Sequence, residues 1–183
     1  MVHHCFMQAQ FAVAAYADFD DVLPDPTALV LAGMTASQSR EFAACWRVAE
    51  QYTDARTGVS ATLFQPVSAE RKYLAVRSAD GPVGSTGIPM SPGAVLAHLA
   101  PQYQALRTRV LGWHENGLLA AGFTVTGHAF GGALAAALAA EFEHLVTRAY
   151  LYYADSADEA VDHLARALGI PTAHPEKLVR FPR

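Results

Sequence analysis

Apolar positions along this chain repeat with two periods, and the switches between them predict an alternation of helices and strands. Met7, Phe11, Ala14 and Ala15 share one helical face, which predicts a helix over residues 3–17. The turn and breaker residues of Asp20 to Pro26 read as a loop. Thr35 and Gln38 have capping-box spacing and predict a helix running through Glu50, with Phe42, Cys45 and Trp46 buried. The period then changes to two. Val59, Ala61 and Leu63 alternate with small or polar residues, and Lys72 to Arg77 is a β-prone run, with residues 67–71 as a hairpin loop between them. Four glycines and four prolines between Asp80 and Pro101 predict an irregular loop, with room for one short helical turn. Tyr103, Leu106, Val110 and Trp113 mark a helix ending near Gly117. Phe123 to Thr126 follows as a strand, Gly132 to Glu143 as a helix and Thr147 to Tyr152 as a strand. A last helix, opened by Ser156 and Glu159 at capping-box spacing, ends at Gly169. Strands alternating with helices imply right-handed crossovers and a parallel sheet, so the fold class is α/β, with residues 58–152 supplying the central sheet.

Composition narrows this picture. The 183 residues suit one domain with a sizeable core. Apolar residues make up 52% and charged residues 16%, as in a compact folded protein. A net charge of −4 with scattered Lys and Arg gives no nucleic-acid face. No stretch approaches the roughly 20 apolar residues of a membrane span. The N-terminus lacks the basic region of a signal peptide and is broken by Gln8, Gln10, Tyr16 and Asp18, so it reads as an amphipathic helix, and the compartment stays open. Cys5 and Cys45 have no metal-ligand spacing and read as small buried thiols, with a disulfide as the alternative. The eight histidines are dispersed and no HExxH spacing occurs, so neither a metal nor an organic cofactor is expected.

The chemistry concentrates in one stretch. Between the strand at Phe123 and an Ala-rich helix lies Gly127-His128-Ala129-Phe130-Gly131, followed by Gly132. The pattern is that of the G-x-S-x-G nucleophile turn, with alanine at the centre. Gly127 and Gly131 are there because a side chain at either would collide with the neighbouring strand or helix, while the central residue is held in a strained conformation. The N–H of Phe130 would face a developing oxyanion at the positive end of the helix. A phosphate-binding turn is the competing reading, but neither GxGxxG nor GxxxxGK[ST] is present, and a plain tight turn is the other. His128, beside position 129, is expected to point back toward the core in a packing role.

The segment AGFTVTGHAFGGALAAALA resembles the GHSLGG region of class 3-type lipases, a family that includes bacterial triacylglycerol lipases and phospholipases. Tyr73 to Asp80 is similar to that family's strand ending in Arg-Gly-Thr, Tyr103 to Gly117 to its next helix, and Val146 to Tyr152 to the strand after the nucleophile. The resemblance covers most of residues 1–153 and implies an α/β-hydrolase-like fold, in minimal or truncated form, acting on lipid esters or related small molecules in proteins that are often secreted.

The departures bear on function. Ala129 stands where the family has its serine, so the usual acyl-enzyme cannot form. Ser78 and Ala79 stand where it has Gly and Thr, in the loop that supplies the second oxyanion donor, which leaves backbone N–H groups but no hydroxyl at 79. The family's acid and histidine lie on later strands. Asp155, Asp158, Asp162, His163 and His174 are the right residue types in a tail without a family motif, and none takes a triad role by resemblance. Asp158 and Asp162 read as a solvated helix face, and Tyr150, Tyr152 and Tyr153 as a strand and its rim. Three functional readings follow: a lipase-family protein inactivated at 129, a non-catalytic lipid-binding or protein-interaction module on the same fold, or a degenerate copy without activity. Gaps at 78, 79 and 129 together favour divergence over a single engineered change.

Overall fold

A computed structural model of the protein describes residues 2–79, 91–152, 157–171 and 174–181. Ser156, half of the expected last capping box, and Asp155 and Tyr153 lie outside the described residues. In chain order the elements are α1 (Val2–Ala14), α2 (Pro26–Leu31), α3 (Ala36–Cys45), β1 (Trp46–Thr53), β2 (Ser60–Pro66), β3 (Lys72–Arg77), α4 (Pro92–Glu115), β4 (Phe123–His128), α5 (Phe130–Glu141), β5 (Val146–Tyr152), α6 (Ala157–Leu168), a 3-10 turn at Pro175–Lys177, and β6 (Leu178–Phe181). The strands form one sheet in the order β1-β2-β3-β4-β5-β6, antiparallel from β1 to β3 and parallel from β3 to β6.

Strand alternation sorts the core into two layers. Leu63, Leu74, Val76, Phe123, Val125, Ala149 and Leu151 face the cluster that includes α4, α5 and α6, whereas Phe64, Tyr73 and Ala75 face Phe11, Leu29, Phe42 and Trp46. Successive side chains point to opposite faces, so a strand buried on both sides reads as a continuous apolar run, as β3 does. Helix α5 is buried at every position from Gly131 to Ala140. Its alanines let it sit close to the sheet while α4 and α6 cover its outer side.

Several expectations are corrected here. The Thr35/Gln38 capping box is present, but α3 stops at Cys45, and Trp46 onward is extended and pairs with β2. The alternating run Trp46–Thr53 gains a full ladder with β2, which outweighs the continuation of a helix. Cys45 is therefore an exposed free thiol at the helix end, not a buried one. The sheet extends beyond residues 58–152 to Trp46 and Phe181. Helix α2 lies in a segment without a predicted element, capped by Asp25 with Pro26 at its first position.

The largest correction concerns α4. Residues 92–101 are helical, not irregular: the Ser91 side chain caps the backbone at Ala94, and Pro92 sits at the first turn, where a missing N–H costs nothing. Pro101 lies inside this helix at a cost of about 3 kcal/mol. Burial of Leu99, Gln102, Tyr103, Leu106, Val110 and Trp113 along one side offsets it. Helix α4 is clamped to α5 where Tyr103 donates to Glu141 at 2.5 Å and Arg107 reaches the other carboxylate oxygen at 2.5 Å.

Burial and the Glu141 carboxylate push the Tyr103 hydroxyl well above its ordinary value of 10.0. A raised folded-state pKa means the contribution is complete below the unfolded value and is lost as pH rises beyond it. Tyr103→Phe is expected to cost about 2 kcal/mol at pH 7. In urea melts, that gap to wild type should narrow steadily above pH 10, where only the unfolded wild-type tyrosine ionises.

Candidate functional site

At the carboxyl end of β4 the chain turns directly into α5, and Ala129 is the hinge. It has φ 50° and ψ −125°, and among the described residues it alone has a positive φ without being glycine. Such a conformation costs a residue with a Cβ on the order of 1–3 kcal/mol. The Ala129 N–H donates to Tyr152 O at 2.7 Å, and its carbonyl accepts from the N–H of Gly132 at 2.9 Å. The flanking glycines are required by contact. A Cβ on Gly127 would lie 2.2 Å from Gly131 O, and one on Gly131 would lie 2.5 Å from Val76 O and 3.4 Å from Ser78 N. Gly132, next in the run, is buried within α5. The turn therefore seats the N-terminus of α5 directly against the end of β3.

The N–H groups of Phe130 and Gly131 open α5 and have no carbonyl one turn earlier within the helix, so they and the helix dipole present positive potential at this edge. His128 is exposed, contrary to the core-facing role expected for it. It belongs to the same strand face as Thr124 and Thr126, but it is the last residue of β4 and has run past the layer that covers them. Tyr150 is buried, and Tyr152 stacks on Phe181 at 4.5 Å at the same end of the sheet.

Ser78 and Ala79 follow β3 and lie beside this turn, and a polar side chain already engages them. The carbonyl oxygen of Gln102 accepts from Ser78 Oγ at 2.9 Å and from the Ala79 N–H at 2.9 Å. A backbone N–H can only donate, so this fixes which end of the carboxamide faces residue 79. The Gln102 amide nitrogen then donates to His98 O at 3.1 Å and to His98 Nε2 at 2.9 Å. His98 Nε2 also lies 3.3 Å from the Ala79 carbonyl oxygen, and the His98 ring centroid is 5.8 Å from that of Phe130. Gln102 is 1% exposed and Ser78 8%.

Sequence reasoning placed Gly127, His128, Ala129, Phe130, Gly131, Ser78 and Ala79 at one site, and the fold brings them to one end of the sheet. It missed Gln102 and His98. Their signal was a glutamine on the buried stripe of α4 with a histidine four residues before it.

His174 pairs with Glu143 at 3.2 Å and so lies at the opposite, amino-terminal end of β5, far from Ala129. Asp162 is exposed on α6, as expected of a solvated face. Among the described residues, no group of three or more His, Cys, Asp or Glu could hold a metal ion, and no helix is long and apolar enough to cross a membrane.

No family model matches the sequence, and no curated protein does. Solved structures do match. The lipase of Rhizopus microsporus var. chinensis superposes with a TM-score of 0.53 at 14% identity, over 94% of this chain and 65% of that one. Lip2 lipase of Yarrowia lipolytica gives 0.55 at 15% identity, over 99% and 70%. Lipase II of Rhizopus niveus gives 0.54 at 14%, over 100% and 72%. The chain spans just under two thirds of the length of the first of these. The fold is thus α/β-hydrolase-like, similar to that of these lipases.

Proposed function

We propose that this chain is a diverged relative of the class 3-type lipases that has given up serine-dependent ester hydrolysis and keeps the site as a binding place for fatty-acyl or ester groups. The observation that carries this reading is Ala129. It retains the strained backbone that elsewhere serves to raise a nucleophile, in a chain whose residue there has no hydroxyl. In this reading the turn is a nucleophile elbow, the Phe130 N–H is one oxyanion donor, and the Ser78–Ala79 turn supplies the other.

Retention of the strain has a measurable consequence. Ala129→Gly should stabilise the fold by about 1 kcal/mol, because glycine adopts this conformation without the Cβ penalty and loses part of that gain to the unfolded chain. A chain of this size should then melt roughly 2–4 °C higher.

The activity test is direct. Purified wild-type protein is incubated with p-nitrophenyl butyrate and p-nitrophenyl palmitate, and release of nitrophenol is expected to match the buffer control. Enzyme-dependent turnover would sink the proposal. The alternative, a protein-interaction module on the same fold, is favoured if neither hydrolysis nor binding of an acyl ligand occurs.

A further inference from the structure

We propose that Gln102 is a built-in latch on this site: its side-chain carbonyl occupies the place of a ligand carbonyl oxygen on Ala79 N–H and Ser78 Oγ–H, so that an acyl ligand binds in exchange for it. The inference rests on the acyl-binding reading above and adds how access to that site is controlled.

Four observations carry it. Gln102 is 1% exposed, yet its carbonyl oxygen points at the backbone of the loop and accepts two hydrogen bonds there. The two donors are the N–H of Ala79 and the adjacent hydroxyl of Ser78, the positions assigned to the second half of an oxyanion site. A carboxamide carbonyl matches the geometry and polarity of an ester or carboxylate oxygen, so it satisfies the same donors. The other end of the amide is held by His98, through its carbonyl and Nε2, on the same face of α4. This contact keeps the side chain from swinging freely. Ser78 also has a second acceptor in reach, the Ala79 carbonyl at 3.2 Å, so its hydroxyl need not be orphaned when Gln102 leaves.

Exchange gives up both hydrogen bonds to the Gln102 carbonyl. The Ala79 N–H regains one from the ligand, and the Ser78 hydroxyl turns to the Ala79 carbonyl. The cost therefore falls on the displaced carboxamide, and the latch lowers affinity by the fraction of time it stays closed. Gln102 is thus a positioning residue for the binding site and does not itself take part in chemistry.

The test is a titration of the full chain, 15N-labelled, with sodium decanoate below its micellar range, read at the amides of Ala79, Phe130 and Gly131. Gln102→Leu, which removes the acceptor, should bind decanoate about tenfold more tightly than wild type. Gln102→Glu keeps an acceptor on Ala79 and should bind no better than wild type. Decanoate shifting Phe130 and Gly131 with the same affinity in wild type and Gln102→Leu would overturn the latch and leave acyl binding standing. No shift at these amides in either protein would overturn both. Should Gln102→Leu fail to fold, wild type alone decides. The Gln102 side-chain amide signals should move at saturating decanoate as the side chain is displaced, and their staying in place while Phe130 shifts would overturn the latch.

Discussion

Gly131→Ala is expected to abolish cooperative folding. The added Cβ would lie 2.5 Å from the carbonyl oxygen of Val76, an approach that real side chains do not make. The obstacle is backbone on a central strand, so relief requires moving β3 away from α5 or breaking the ladder between β3 and β4. A loss above about 4 kcal/mol follows, a large fraction of the 5–15 kcal/mol that a domain has. Gly127→Ala should be as severe, since its Cβ would meet Gly131 O at 2.2 Å. Gly112→Ala, inside α4 with nothing within 4 Å, is the control and should gain about 1 kcal/mol from helix propensity. Circular dichroism melts of the three variants read this directly. A Gly131→Ala protein that melts like wild type would mean that the turn is not packed as described.

A serine installed at position 129 is expected to leave ester hydrolysis at background, on the order of a million-fold below a complete triad. The strained backbone would present its hydroxyl, but the partners are otherwise engaged. The Ala79 N–H is held by Gln102, and His98 Nε2 is engaged between the Gln102 amide nitrogen at 2.9 Å and the Ala79 carbonyl oxygen at 3.3 Å. His128 is exposed at the strand end, and His174 is paired with Glu143 at the far end of the sheet. With none of these three histidines positioned as its base, the serine keeps its proton at neutral pH. Initial rates on p-nitrophenyl butyrate, together with labelling by a fluorophosphonate, measure the effect. A turnover number near 1 per second for Ala129→Ser would show that base and acid are in place and that only the hydroxyl is missing.

The fold was legible in the sequence where one signal dominated. Strands β3, β4 and β5 and helix α5 stood out because each is a short apolar run bounded by turn residues, and the glycines at 127 and 131 announced the tight crossing from strand to helix. What stayed hidden depends on contacts distant in sequence. Strand β1 reads like the end of a helix until β2 is there to pair with it. The first turns of α4 look like a loop because Pro92, Gly93 and Pro101 are breakers by local rules, and only burial of the Leu99–Trp113 stripe overrides them. Gln102 was invisible as a site residue for the same reason: its partners Ser78 and Ala79 sit more than twenty residues earlier. Of the candidate site, the backbone geometry could be read in advance, and the side chain that now engages it could not.

The central claim is that the site holds an acyl group without cleaving it. Wild-type 15N-labelled protein mixed with methyl octanoate and followed by NMR for several hours tests binding and chemistry in one tube. The account predicts shifts at the Phe130 and Gly131 amides while the ester signals persist unchanged and no methanol accumulates. Protein-dependent appearance of methanol, or the absence of any shift at those amides, would contradict it.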